Sequence, residues 1–266
     1  MQMKTIVRSG LLFLVLVFQM ACGGGSGSSE NAQSNNVPTY LSTEINPVAE
    51  FELLFIGNSH SGSNGLPQLV AALVEQGSEK QANGFRQADS AFLDERSFQG
   101  DTFIAIQSRP WTHVILQAQK YSTSGQYHYP TDAAEEWIRI VKAANAKPVL
   151  FPEHPQINNP AEGSRVHELH LGIASREAAC VSPVGLAWNL ALARYPTLSL
   201  HLDGNHANLV GSLLTAYVFY QVITGLPANQ LPFSADINVD ESTQTILKEI
   251  ANETVLLHPP CTLLPE

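Results

Sequence analysis

The sequence is poor in cations, in cysteine and in long apolar runs. Of its 266 residues, 14 are Lys or Arg against 24 Asp or Glu, a formal net charge of −10. No basic cluster offsets that balance, which argues against nucleic acid as a partner. The three cysteines, Cys22, Cys180 and Cys261, fall in no CxxC or spaced Cys/His pattern, so neither structural zinc nor another cofactor is expected. The apolar run from Leu11 to Phe18 is too short to cross a bilayer. Gly57-Asn58-Ser59-His60-Ser61-Gly62 has neither the glycine spacing nor the lysine of a phosphate-cradling loop, which sets a nucleotide binder aside. No internal repeat is present.

What the N-terminus does contain is an export pattern. Lys4 and Arg8 precede the apolar run, and Gln19-Met20-Ala21-Cys22 follows it. A basic segment, a short apolar segment and a small residue before the cut describe a signal peptide over residues 1–21. A cysteine directly after that small residue, followed by Gly23-Gly24-Gly25-Ser26-Gly27-Ser28-Ser29, resembles a bacterial lipoprotein signal, although Gln19 stands where an aliphatic residue is usual. The resemblance implies lipidation of Cys22 and a membrane link through that anchor alone, with outer-membrane placement if the cell is Gram-negative. The alternative is a plain secretory signal with a chance cysteine. Removing the signal takes away two cations and no acids, so −10 becomes −12. Residues 22–50 read as a flexible Gly/Ser-rich tether, leaving residues 51–266 for one folded domain.

Within that domain short apolar runs alternate with helical periodicity. Strands are expected at Phe51–Ile56, Thr112–Gln117, Pro148–Phe151 and Leu198–Leu202. Helices are expected at Leu66–Glu75, Thr131–Ala144, Ser164–Ala179, Pro183–Ala193, Ala207–Ile223 and Asp240–Asn252. The stretch from Lys80 to Ser97 reads as neither. Strands alternating with helices predict an α/β fold, a three-layer α/β/α sandwich around a mainly parallel sheet. Ligands on such sheets sit beyond the carboxyl ends of the strands, where Ser59 and Gln117 fall.

Those strand ends carry the chemistry. Ser59 follows Gly57-Asn58 on the turn after the first strand, where a nucleophile would be presented. Asp203-Gly204-Asn205-His206 places a carboxylate three residues before an imidazole and runs into an apolar helix. Each segment alone is ordinary turn chemistry. Together, in the order serine, aspartate, histidine, they supply the parts of a hydrolase triad.

These residues resemble the SGNH (GDSL-like) hydrolase superfamily, flavodoxin-like in architecture, over roughly residues 51–225. The strand followed by Gly57-Asn58-Ser59 is similar to its first block, and Asp203-Gly204-Asn205-His206 to its last. Ser97-Phe98-Gln99-Gly100-Asp101-Thr102 is similar to its second block, which implies that the Gly100 N–H helps hold an oxyanion. The third block departs. Where the superfamily has Gly-x-Asn-Asp, this chain has Gln117-Ala118-Gln119. Spacing favours Gln119 for the side-chain donor, and Gln117 lies nearer the strand end; a glutamine amide carries the same donor on a longer arm. The resemblance implies a serine esterase without a cofactor or metal, working through an acyl-enzyme on a small-molecule or carbohydrate ester, O-acetyl groups among them. The oxyanion would rest on the N–H groups of Ser59 and Gly100 and on one glutamine. The altered third block keeps a second reading open, an envelope lipoprotein that retains the fold and binds a glycan or protein partner.

Other residues carry less. His167 and His170 lie on one helix face and with His154 or Glu168 have the makings of a metal set, but surface histidines are the simpler expectation. Trp111, Trp137 and Trp188 read as core or edge residues. Tyr121, Tyr127 and Tyr129 read as loop packing or as the lining of a cleft. His60, beside the serine, reads equally as site or chance. Cys180 and Cys261 either pair, stapling the tail to the body, or stay as two separate thiols.

Overall fold

Phe51–Ile56 forms the first strand, β1, in the computed structural model, which describes residues 49–262. The expected signal peptide, Cys22 and nearly all of the expected tether lie outside the described residues. The remaining strands are β2 (Ala82–Arg86), β3 (His113–Leu116), β4 (Lys147–Leu150) and β5 (Cys180–Val181). They make one all-parallel sheet in the order β2-β1-β3-β4-β5. The helices are α1 (Leu66–Ser78), α2 (Asp101–Gln107), α3 (Asp132–Ala143), α4 (Pro160–Arg176), α5 (Val184–Arg194), α6 (Leu209–Thr224) and α7 (Glu241–Leu257).

Alternation along the strands explains the layering. Leu53 and Phe55 of β1 join Ile115, Val149 and Cys180 in one core with α1, α5, α6 and α7. Leu54 and Ile56 join Val114, Leu116, Leu150 and Val181 in a second core with Ile106 of α2, α3 and Ile173 of α4. Successive side chains point to opposite faces of a strand, so a strand buried on both faces reads as a continuous apolar run. Helix α6 is buried along nearly its whole length. It can begin where it does because Asn208 Oδ1 accepts the Gly211 N–H at 3.0 Å. A Cβ on Gly211 would stand 2.3 Å from the Leu200 carbonyl, so only glycine allows this helix to approach that closely.

Chain order reverses between β1 and β3: the chain leaves β1 for β2 on one side and returns to β3 on the other. The crevice at such a switch point is the natural ligand site of an open α/β sheet.

Four elements depart from the expectation. Leu198–Leu202 is not a strand. It makes a single antiparallel bridge, His201 to Ala207, because the Leu202 N–H turns back onto the His206 carbonyl at 2.8 Å. The ambiguous stretch holds edge strand β2, and two short elements, α2 and β5, carry too few residues to show a period. Cys180 and Cys261 are joined by a disulfide, and the Val181 N–H beside it donates to the Pro260 carbonyl at 2.7 Å.

Candidate active site

The turn that carries Ser59 begins where β1 runs out. Gly57 is buried, and a Cβ there would stand 2.2 Å from Gln117 Oε1. The Asn58 N–H donates to that same oxygen at 2.8 Å. Asn58 Oδ1 accepts the His60 N–H at 3.1 Å, capping a single 3-10 turn over Ser59–Ser61. Arg86 Nη2, from the end of β2, donates to the Asn58 carbonyl at 3.1 Å. Ser59 is left exposed at the front of this frame.

Within the loop that carries Asp203 and His206, the contacts of the two side chains are local. Asp203 Oδ1 accepts the N–H groups of Asn205 and His206, both at 2.7 Å, and its Oδ2 faces His206 Nδ1 at 2.9 Å. Those two backbone donors, followed by the imidazole itself, hold the Asp203 carboxyl far below the usual carboxylate range. His206 Nε2 then stands 2.9 Å from Ser59 Oγ. The three residues named from the sequence therefore form one continuous chain of contacts, with a carboxylate that keeps its charge and an imidazole fixed at both ring nitrogens. Such a chain can draw the proton from a serine hydroxyl.

The donors expected for an oxyanion are arranged differently. The Gly100 N–H donates to the Ser97 carbonyl at 3.1 Å. Gln119 is buried, and its Nε2 donates to the carbonyls of Lys120 (2.8 Å) and Pro130 (3.0 Å). Gln117 is fully buried; its Oε1 serves Asn58 and its Nε2 donates to Glu153 Oε2 in a short contact. An N–H at one end and a carboxylate at the other fix which way this amide points. Of the four donors expected from the sequence, three are thus engaged elsewhere in this structure.

Four residues behind the site, His60, His154, Glu153 and Arg96, carry little or no signal in the sequence. His60 stacks on His206 with ring centroids 5.4 Å apart, and meets His154 edge-on at 4.9 Å. His154 in turn lies flat on Trp188 at 3.8 Å. Burial, then the neighbouring His60, pushes His154 well below the ordinary histidine range, so it is neutral packing beneath the site. Glu153, beyond the end of β4, accepts from Gln117 and from the Tyr121 hydroxyl (2.9 Å) and lies 3.9 Å from His60 Nε2. Burial, then the charge of Glu153, pushes the Tyr121 hydroxyl far up, so it stays a donor. Arg96 is buried just before the second block and donates to the Gly57 carbonyl at 3.0 Å, tying that block to the nucleophile turn. A lone arginine and a lone glutamate in loops give no sequence signal; only the fold brings them to the turn.

The remaining residues sort simply. His167 and His170 are buried, not on the surface as expected, while Glu168 is exposed. Among the described residues no group of three or more His, Cys, Asp or Glu could hold a metal ion. Trp111, Trp137 and Trp188 are core residues, and Tyr127 and Tyr129 are exposed.

No family model matches the chain, and no curated protein does. Solved structures match at low identity. A DUF4886 family protein from Bacteroides uniformis is 15% identical with a TM-score of 0.64, over 79% of this chain and 95% of that one. A putative SGNH hydrolase from Slackia heliotrinireducens is 20% identical with a TM-score of 0.50, over 64% and 97%. Axe2, an acetylxylan esterase from Geobacillus stearothermophilus, is 15% identical with a TM-score of 0.51, over 66% and 95%. With its five-stranded parallel sheet between two helical layers, the chain has the fold of the SGNH hydrolases.

Proposed function

We propose that this chain is a serine esterase that cleaves a carboxylic ester through an acyl-enzyme. The reading rests on one observation: Ser59 Oγ, His206 and Asp203 joined by two contacts of 2.9 Å at the carboxyl edge of a parallel sheet. His206 Nε2 takes the hydroxyl proton as Ser59 Oγ attacks the carbonyl carbon. The imidazolium, paired with Asp203, returns that proton to the leaving alcohol. Water then attacks the acyl carbon, giving its proton to His206, and Ser59 leaves with it as the carboxylic acid departs. The Ser59 N–H serves as the first donor for the oxyanion, and Gly100 joins it if the Ser97 contact is released on binding. Acetyl groups on carbohydrate are the substrate class to test first, given the likeness to an acetylxylan esterase. We also propose that Cys22 carries a lipid and holds the domain at the cell envelope; palmitate incorporation that persists in Cys22→Ala would reject this.

The test compares fluorophosphonate labelling and p-nitrophenyl acetate turnover by the full chain, Ser59→Ala and His206→Ala. Labelling should vanish in Ser59→Ala, and both variants should lose roughly 10⁴-fold or more in kcat. A second reading, a binding lipoprotein on a hydrolase fold, draws on the engagement of Gly100, Gln117 and Gln119 elsewhere. A folded wild-type chain that neither labels nor turns over would favour it.

A further inference from the structure

We infer that Glu153 is a positioning residue for the nucleophile, acting through Gln117; the catalytic half of this inference rests on the esterase reading above. The carboxylate sits at the junction of three strand ends. It follows β4, accepts from Gln117 at the end of β3, and through that amide reaches the Asn58 N–H at the end of β1. Gln117 is fully buried and cannot turn to water, so its amide must satisfy both ends within the protein. With Glu153 accepting from Nε2, Oε1 is aimed at Asn58 and nothing else. Asn58 in turn caps the 3-10 turn that presents Ser59. Gly57 packs against the same Oε1, so an amide that rotates away leaves the turn without its hydrogen bond and without its backing.

The remaining contacts of Glu153 suit this task. Its side chain is only 12% exposed, and Tyr121 donates to Oε1 at 2.9 Å, so the two carboxylate oxygens have separate donors. A buried carboxylate held at both oxygens is a rigid acceptor. Its length matters as well as its chemistry: one methylene less would withdraw it from Gln117. The departure of this chain from Gly-x-Asn-Asp is thereby explained at its first position, where the glutamine serves the nucleophile's backbone and is not free for the oxyanion.

The full chain is compared with Glu153→Ala, Glu153→Asp and Glu153→Gln by amide hydrogen exchange and by p-nitrophenyl acetate turnover. In Glu153→Ala and Glu153→Asp, exchange at Asn58 should rise about tenfold while Ile115 in β3 is unchanged, because only the turn is loosened. The same variants should lose about tenfold in kcat with KM within about threefold, the signature of a misplaced nucleophile. Glu153→Gln, whose carbonyl still accepts from Gln117, should restore both readouts to within about threefold of wild type. Wild-type exchange at Asn58 in a folded Glu153→Asp variant overturns the inference, as does parallel loss at Asn58 and Ile115. If the wild type hydrolyses nothing, the esterase reading falls while exchange at Asn58 still decides whether Glu153 positions the turn.

Discussion

Ser59 and His206 face each other across 147 positions of chain, yet the segments that carry them are held in different ways. The carboxylate–imidazole pair is set locally: Asp203 binds Asn205 and His206, two and three residues on, and Leu202 closes the loop onto His206, while Ile157 and His154 brace the loop from outside at the Gly204 and Asn205 carbonyls. Asp203 and His206 side chains are 54% and 37% exposed. The serine turn is fastened from outside, by Gln117, Arg86 and Arg96, which lie 59, 28 and 39 positions from their partners. The pairing of Asp203 with His206 is thus written in a short string of residues, whereas the position of Ser59 depends on side chains brought from β2, the end of β3 and the segment before α2.

Removing charge from the local side should cost the most. Asp203→Asn should lower kcat by roughly 10³–10⁴-fold with little change in melting temperature, because the loop is exposed and the imidazole loses its tautomer and counter-charge. A melting transition lowered as much as activity would mean that the loop is structural.

Acid should strike the fold before it strikes Asp203. Burial pushes His113, His167 and His170 down to about 4 from 6.5, with the neighbouring Lys147 adding to this at His113 and His258 and His170 at His167. Below 6.5 the unfolded chain takes up these protons and the folded chain does not, so stability falls with pH until the folded sites titrate near 4. Each site contributes up to about 1.4 kcal/mol per pH unit in that window. Denaturant melts at pH 7, 6 and 5 should show the decline; a flat profile would place these histidines in water.

Gly57→Ala attacks the fastened side. The new Cβ collides with Gln117 Oε1, which must give way, at a cost of about 1–3 kcal/mol and with loss of turnover. Urea denaturation and acetate ester hydrolysis should move together, unlike in Asp203→Asn. The smallest effect belongs to Asn208→Ala, which removes the cap of α6 and should cost about 1 kcal/mol. Asn208 Nδ2 also donates to the Ser199 and His201 carbonyls, but the Asp203 contacts hold His206 without it, so turnover should hardly change; a large loss would show that Asn208 also sets the position of His206.

The same contrast governs what could be read from the sequence. Phe51–Ile56, the long apolar helix and the Asp203–His206 spacing are local patterns, and each appears in the structure close to where it was expected. Residues 82–86, with Gly84 and Asn83 in an edge strand, have no apolar alternation to detect, and the two residues of β5 are too few to show any. Leu198–Leu202 has strand-like residues but no neighbouring strand to pair with. At the candidate site, the contact chain of Ser59, His206 and Asp203 was legible because these residues have distinctive types and spacing. The donors were not, because the hydrogen bonds of Gly100, Gln117 and Gln119 depend on a turn carbonyl, Glu153 and the Pro130 loop, none of which spacing reveals.

The bond between Cys180 and Cys261 has a consequence for solubility. Strand β5 is the last of the sheet, and its outward Val181 N–H is covered by the Pro260 carbonyl of the tethered tail. An uncovered strand edge is a template on which other chains add and grow into aggregates. In an oxidising compartment the tail is locked over that edge; in a reducing one it is free to leave. This chain guards that edge of its sheet with a clasp that an oxidising environment keeps shut.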